Sequence, residues 1–389
     1  MSYTVSSVTK SENNKIYARQ IAFVAAFILP TAKFLEAPSL LAKYAAGDLL
    51  LPTLLHFLLQ AGILTALLIA ASLSRSTISE RISYAFGGFA RIFYVLYAIY
   101  FLFSAILPLL DLEKFVYAAF FDTAPTTFGF ALFFIVSAFL CCKDKNAIGR
   151  SADLCLFLFL IPFLALMVMS VSESDLTGLF PLFGEKFGDT MSAFTRTSPH
   201  FSDAVLLFPL IANLRYKKGD GAKILTGYGF GALFTLAFLA IFFGVYSSIA
   251  PREHYAFSKI AQYFPALSVV GRIDLIFIYL LTVVLIFYTC LPLQYTTHLL
   301  QKTFGIESKM IIAAVLNFGL YLFVLFCNKY YNSFYRVISG KLPFVFWLIA
   351  DMLPLFCLLL PKNTQPPNAK TAVSSPRKKE LQHVSKSRS

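Results

Sequence analysis

Two membrane-length hydrophobic segments of this chain are each interrupted by proline and polar residues, and these interruptions constrain the fold more than any other feature. The first contains Pro30, Thr31, Ala32, Lys33, Glu36 and Pro38, and the second contains Pro199, His200, Ser202, Asp203 and Pro209. A backbone in lipid must keep its peptide groups paired, so a helix that breaks at membrane depth normally lines a cavity. Because the two breaks begin the two halves of the chain, they predict a small-solute site on a transporter-like scaffold.

The composition excludes an ordinary soluble domain. Of the 389 residues, 58% are hydrophobic and only 14% are charged, whereas soluble domains are roughly half apolar and about a quarter charged. Most apolar runs are close to the ~20 residues that a spanning helix needs. They fall at about 21–44, 50–72, 85–110, 127–142, 153–171, 198–214, 224–250, 270–300, 309–327 and 342–361. We therefore predict an all-α polytopic membrane protein with about ten transmembrane helices.

The basic residues predict the orientation of the chain. The formal net charge is +13, and Lys and Arg concentrate in alternate loops, as Lys143 with Arg150 and Lys217 with Lys218 illustrate. Cytoplasmic loops of membrane proteins collect such residues. We therefore expect a multi-pass membrane protein with both termini in the cytoplasm, and no nucleic-acid partner.

The distribution of polar segments predicts three regions. Residues 1–18 and 362–389 contain too few apolar groups to fold alone and are expected to be disordered cytoplasmic tails, the second of them basic. The bundle covers residues 19–361, with halves 19–171 and 198–361 around an outer loop at 172–197. Five helices on each side of that loop give the halves opposite topology, because five is odd. This predicts a 5+5 inverted repeat with helices 1 and 6 broken.

Lys33 and Glu36 are the ionisable residues of the first break. Three residues apart on a continuous helix they would share a face and pair, whereas Pro30 and Pro38 favour an unwound stretch. An ionisable side chain at membrane depth costs at least about 2.5 kcal/mol, so a role in ligand binding or gating is the default hypothesis. A structural ion pair is the alternative. Thr31 belongs to the same candidate ligand-binding stretch.

Asp203 is the corresponding residue of the second break. It could hold the amino group of a zwitterionic solute or a coupling proton or cation, with a neutral hydrogen bond from Ser202 beside it. Alternatively, Asp203 could be a helix N-cap. His200 and Asp203 are too closely spaced for a metal site and no further His or Cys cluster accompanies them. No metal, cofactor or catalytic residue is predicted, because no nucleophile, acid and base converge at one depth.

Other polar residues in the apolar segments are candidates for structural or coupling roles. Arg272 and Asp274 open the eighth segment, two residues apart, and an interhelical ion pair for each is favoured over substrate contact. Asp351 in the tenth segment needs a partner such as Lys33, a coupling proton, or packing as a protonated acid. Tyr94 and Tyr97 lie on one face of the third segment, where they either line a polar pathway or simply pack.

Several short motifs, in this order and spacing, resemble a known family. They are Leu179, Pro181 and Gly184 in the outer loop; Leu206, Leu207, Phe208 and Pro209 in the sixth segment; Arg272, Ile273 and Asp274; and Lys302, Thr303, Phe304 and Gly305. Residues 16 to 361 resemble the B subunit of bacterial spore germinant receptors. These form the endospore germination permease family within the amino acid, polyamine and organocation transporter superfamily.

The resemblance implies a ten-helix inverted-repeat bundle with helices 1 and 6 broken around a pocket for a nutrient germinant, often an amino acid. It also implies a receptor in the spore inner membrane that works with an A subunit and a lipoprotein C subunit. Residues 30–36 and 200–205 match the family's pocket-forming breaks. The family usually has small, glycine-rich residues at the first break, so here a ligand carboxylate would meet Lys33. A proton- or cation-coupled amino acid transporter would use the same pocket and remains the alternative function.

Overall fold

The fold was analysed in a computed structural model that describes residues 16–73, 76–120, 126–143, 145–180, 184, 186–263, 274–306, 308–330 and 341–360. Within these ranges the chain is helical and contains no strand. Six of the described helices are long and apolar enough to cross a membrane, or seven with one bent pair counted as a span. The all-α polytopic prediction is therefore confirmed, whereas the count of ten helices stays a prediction.

Within the described ranges, the first half of the chain contains seven α-helices. They are α1 (Ala18–Phe23), α2 (Ala37–Ala45), α3 (Leu50–Ser72), α4 (Ile78–Phe86), α5 (Ala90–Phe120), α6 (Thr126–Cys141) and α7 (Lys145–Val171). The second half contains another seven within the described ranges. They are α8 (Phe187–Thr197), α9 (Asp203–Ile211), α10 (Asp220–Tyr246), α11 (Ala256–Tyr263), α12 (Asp274–Phe304), α13 (Lys309–Lys329) and α14 (Lys341–Met352).

The first hydrophobic segment is broken where the prolines and charges predict. After α1 the chain forms a π-helical turn at Val24–Ile28 and a 3₁₀-helix at Leu29–Phe34. It then bends by 64° into Ala37–Asp48. Pro30 has no N–H to donate, so this tightened and redirected backbone is where its ring is tolerated.

Two glycines of α10 let this irregular segment approach closely. A Cβ atom at Gly227 would lie 2.5 Å from the Ala22 carbonyl oxygen, and one at Gly231 would lie 2.5 Å from that of Ala25. Real side chains do not tolerate such contacts, so only glycine permits this packing. The first break is thereby fixed against a regular helix of the second half.

The second break, like the first, passes through a 3₁₀-helix. Helix α8 leads into a 3₁₀-helix at Ser198–Phe201, which ends at Ser202 before α9 begins. Within the segment expected as an outer loop at 172–197, the last eleven residues form the helix α8. This helix is short and amphipathic, and its buried residues are the small Thr190, Ala193 and Thr197. It packs on α2 and α3, so tertiary contacts stabilise a helix that has no apolar run.

An aromatic cluster fixes the chain directly after Lys33. Phe34 is fully buried, and its ring stacks on Phe159 and Phe163 of α7 with centroids 5.9 and 5.2 Å away. The ring of Phe238 in α10 is closer, at 4.5 Å. Buried aromatic pairs of this kind add to the free energy of area burial. The position of Lys33 is therefore set by its neighbour in the chain.

The face of α7 that points away from Phe34 is apolar and exposed, as a lipid-facing surface would be. Leu154, Phe157, Ile161, Leu164 and Val168 are all exposed and recur every three or four residues. This spacing places them on one side of the helix. An exposed apolar stripe of this length is what a membrane-facing surface requires.

Candidate functional site

The two breaks meet through a buried ion pair. The Lys33 ammonium lies 2.7 Å from Oδ1 of Asp203, and the two side chains are 1% and 2% exposed. Lys33 also donates to the carbonyl oxygen of Leu29, one of the peptide groups that the irregular backbone leaves available, at 3.2 Å. The structure thus joins a residue of the first break to one 170 positions later.

Asp203 has further partners. Its second carboxylate oxygen accepts a hydrogen bond of 3.3 Å from the Tyr228 hydroxyl of α10. Asp203 is the first residue of α9, where the helix dipole also favours a negative charge. The N-cap position belongs to Ser202, which makes no capping hydrogen bond through its side chain. The N-cap alternative for Asp203 is therefore wrong, because its carboxylate pairs with Lys33.

Glu36 does not pair with Lys33, although the two residues are close in sequence. Its carboxylate contacts Nδ1 of His254 at 3.0 Å, in the loop between α10 and α11. That hydrogen bond raises the pKa of His254 above its ordinary value of 6.5. The bend after Phe34 separates the two charges, so Lys33 turns inward to Asp203 and Glu36 turns toward the exposed His254. We call Glu36 and His254 the rim pair.

Asp351 is bound by a side chain that sequence reasoning missed. The Gln60 amide of α3 donates to Oδ2 of Asp351 at 2.6 Å, and its oxygen accepts from the Ala204 backbone N–H at 2.8 Å. Gln60 therefore joins α14 to the first turn of α9, next to Asp203. Lys33 is not the partner of Asp351, since its ammonium lies on Asp203.

His56, also missed, supports the second break. Its imidazole is stacked between the rings of Phe194 and Phe201, with centroids 4.1 and 4.4 Å away, and its Nε2 lies 3.2 Å from the Thr197 hydroxyl. Phe201 in turn lies 5.4 Å from the Lys33 ammonium. The detectable signal was the spacing of Thr53, His56 and Gln60, three polar side chains on one face of an apolar helix.

The remaining residues predicted for the two breaks lie in their 3₁₀-helices or next to them. Thr31 donates its hydroxyl to the carbonyl oxygen of Ile28 at 2.6 Å, so it satisfies the backbone of the break itself. Pro30 and Ala32 are buried beside it. His200 is half-buried in the second 3₁₀-helix, and Ser202 is buried at its end.

The other predicted residues lie away from the ion pair. Asp274 begins α12 and is buried, whereas Arg272 falls outside the described residues. Tyr94 and Tyr97 line a cavity at the far end of α9. The described residues contain no group of three or more His, Cys, Asp or Glu side chains placed to hold a metal.

Sequence comparison assigns the chain to a family. The profile of a family described as spore germination protein, a permease family, matches residues 17–332. The chain belongs to the spore germination permease family. The match covers both breaks, the helices that surround them and most of the bundle. No match to this permease was found among curated protein sequences.

Solved structures agree on the fold. The permease is similar to two single-residue variants of the Eremococcus coleocola manganese transporter, each with a TM-score of 0.58 at 13% identity. In both cases the similarity covers 87% of this chain and 78% of the transporter. At this identity the likeness concerns the fold alone, which is a helical transporter-type fold with inverted repeats. The predicted inverted-repeat architecture is thereby confirmed.

Proposed function

We propose that this permease is the germinant-sensing membrane subunit of a spore germination receptor and that it binds an amino acid between its two breaks. The observation that supports this is the buried Lys33–Asp203 pair. An ammonium and a carboxylate already face each other there, each on a segment that the fold leaves irregular. Both charges of a zwitterion find their complement in these two residues.

The binding step is an exchange of ion pairs. A solute carboxylate takes the Lys33 ammonium, and the solute ammonium takes the Asp203 carboxylate. Two charge-assisted hydrogen bonds to the solute replace the one between Lys33 and Asp203, so no buried charge is left without a partner. Because the free pair is excluded from solvent, admitting the solute requires the two breaks to separate, and ligand binding is therefore coupled to a change of the bundle.

The response then follows from population shift. A solute that binds the separated state tenfold more tightly than the closed state supplies about 1.4 kcal/mol. Strong switching needs several such increments, or several receptors acting together. We propose that A and C subunits of the receptor detect this shift, in the spore inner membrane and with both termini of the permease in the cytoplasm.

A coupled amino acid transporter is the second candidate, and Asp351 favours it. Asp351 is buried, and Gln60 connects it to the first turn of α9, which begins with Asp203. A proton on Asp351 would change that hydrogen bond and so bias the second break. The receptor and the transporter share the binding step and differ in whether the solute crosses the membrane.

Thermal stabilisation followed by uptake distinguishes the two functions. The purified full-length protein is heated with each of a panel of amino acids, sugars and nucleosides, and any stabilising solute is then tested for uptake into proteoliposomes under a proton gradient. The receptor predicts stabilisation by an amino acid without uptake. Gradient-driven uptake would establish the transporter instead, and stabilisation by sugars or nucleosides alone would contradict the zwitterion site.

Lys33→Met is the variant for this experiment, and Lys43→Met is its matched control. Lys43 is exposed on α2, shortly after the same break. Lys33→Met should abolish the stabilisation by the amino acid, and Lys43→Met should retain it. Equal loss in both variants would show that the lysine charge acts at a distance and not at the site.

A further inference from the structure

A cavity lies at the other end of α9 from the ion pair. It measures about 440 Å³ and is enclosed by α4, α5, α9 and α12. Pro209 lines it, six residues after Asp203, which at the helical rise of 1.5 Å per residue is about 9 Å along α9. The rings of Tyr97 and Phe208, 5.4 Å apart, form its inner wall. The proposed amino acid site and this cavity are thus separate places.

Lys302 gives this cavity a positive charge. It is the only Lys, Arg, Asp or Glu among the described residues that line the cavity. Its ammonium donates to the hydroxyls of Tyr94 at 2.7 Å, Ser79 at 3.1 Å and Ser83 at 3.3 Å. These partners are neutral, so the hydrogen bonds position the ammonium at the mouth without cancelling its charge. An ammonium has three N–H donors, so an anion that entered would displace one of these hydroxyls and gain a charge-assisted hydrogen bond in its place.

Tyr295 supplies a second, independent observation. Its side chain is 1% exposed and lines the cavity, yet its hydroxyl has no hydrogen-bond partner among the described residues. A buried hydroxyl without a partner is energetically costly, and most native structures avoid it. A polar group of a bound molecule would satisfy this hydroxyl once the Tyr295 ring turns toward the cavity. The apolar side chains that line the same cavity include Phe93 and Leu299.

We propose that this cavity binds a small organic anion with an aromatic body. The carboxylate pairs with Lys302 at the mouth, the ring packs against Phe93 and Phe208, and a polar substituent bonds to the Tyr295 hydroxyl. The volume lies within the roughly 300–1,000 Å³ of small-molecule pockets. The site is independent of the proposed amino acid site, because none of the residues in the Lys33–Asp203 cluster takes part.

The probe for this site is 3-(4-hydroxyphenyl)propionate, which has all three features. Binding to the full-length protein in a neutral detergent is measured by isothermal titration calorimetry, beside the uncharged amide of the same acid. We expect the acid to bind and the amide to bind about tenfold more weakly or worse, since the charge-assisted bond to Lys302 is lost. Equal binding of acid and amide, or no binding of either, would overturn the proposal.

Two variants test whether Lys302 and Tyr295 contact the probe. Lys302→Gln should weaken binding of the acid about tenfold or more, whereas Lys218→Gln, an exposed lysine outside the cavity lining, should leave it unchanged. Tyr295→Phe removes only a hydroxyl, so folding is retained. It should weaken binding of the probe but not of 3-phenylpropionate, which lacks the phenol group. Unchanged affinity in both Lys302→Gln and Tyr295→Phe would contradict the site.

The source of the anion is tested in nanodiscs. Lys302 lies at the mouth and is itself exposed, so an anionic lipid headgroup has the same chemistry as a free carboxylate. Probe binding in phosphatidylcholine nanodiscs that disappears in phosphatidylglycerol nanodiscs would support the anion site and identify lipid as its occupant. Binding that persists in both supports a soluble acid.

Discussion

The first break sends its two charged residues into different environments, and the contrast separates an ion pair that is sealed from water from one that solvent can reach. Lys33 faces inward to Asp203, and both side chains are almost fully excluded from solvent. Glu36 faces His254, whose side chain is 63% exposed. The buried pair must remain matched because neither charge can return to water. The rim pair can be broken when His254 loses its proton to solvent.

Removal of one member of the buried pair should have the largest effect. Lys33→Met leaves the Asp203 carboxylate buried without its cation and should lower the free energy of unfolding by about 3–5 kcal/mol. Asp203→Asn should act similarly, and the double variant should recover part of the loss. Chemical unfolding of the four proteins in one detergent measures the coupling. Additive losses would contradict a direct interaction.

Substitution of Gln60 should give the next largest loss of stability. Gln60→Leu removes a hydrogen bond from Asp351 and another from the Ala204 N–H, and leaves both groups buried. The expected cost is about 1–3 kcal/mol for each unsatisfied group. Gln262→Leu, at an exposed position of α11, is the matched control and should change stability little. An equal effect of the two substitutions would show that Gln60 does not join α14 to α9.

The rim pair should show a small dependence on pH. The Glu36 hydrogen bond raises the pKa of His254, so the folded protein binds the proton more tightly than the unfolded chain. The stabilisation is fully present below the ordinary pKa of 6.5 and is lost as the pH rises through the raised pKa of the folded state. Because His254 is largely exposed, we expect less than about 1 kcal/mol.

Melting temperatures between pH 5.5 and 8.5 measure this contribution. His254→Gln and Glu36→Gln should each flatten the same part of the profile. The neighbouring charges of Glu253 and Lys43 oppose each other in their effect on His254, so neither replaces Glu36. A profile that keeps its slope in both variants would place the titrating group elsewhere.

The smallest effect is expected at an exposed ion pair. Arg19 and Asp153 lie 3.5 Å apart, with side chains 68% and 35% exposed. Asp153→Asn should change stability by no more than about 0.5 kcal/mol, because solvent and salt screen such pairs. A loss comparable with that of Asp203→Asn would mean that burial does not distinguish the two pairs.

The sequence predicts the breaks well because their signals are local. Pro30 and Pro199, with charges beside them inside apolar runs, identify both breaks without any tertiary information. The partner of Lys33 was not predictable in this way. Glu36 and Asp351 were also candidates, and only the 64° bend and the packing of α9 select Asp203.

Other features needed the folded chain for the same reason. Helix α8 has no apolar run, and its buried face consists of small residues that become core only against α2 and α3. Gln60 and His56 are polar residues in an apolar helix, and their shared face indicates a polar contact but not its partner. Tertiary contacts therefore determine most of the residues that surround the Lys33–Asp203 pair.

The central claim is that an amino acid binds at the Lys33–Asp203 pair. Its most direct test removes one charge of the solute and one charge of the pair in turn. An amino acid that stabilises the protein is compared with its amide, which lacks the carboxylate charge, and with its deaminated acid, which lacks the ammonium. The account predicts that the wild type prefers the amino acid, that Lys33→Met no longer distinguishes it from its amide, and that Asp203→Asn no longer distinguishes it from the acid. Unchanged preferences in both variants would contradict binding at the Lys33–Asp203 pair.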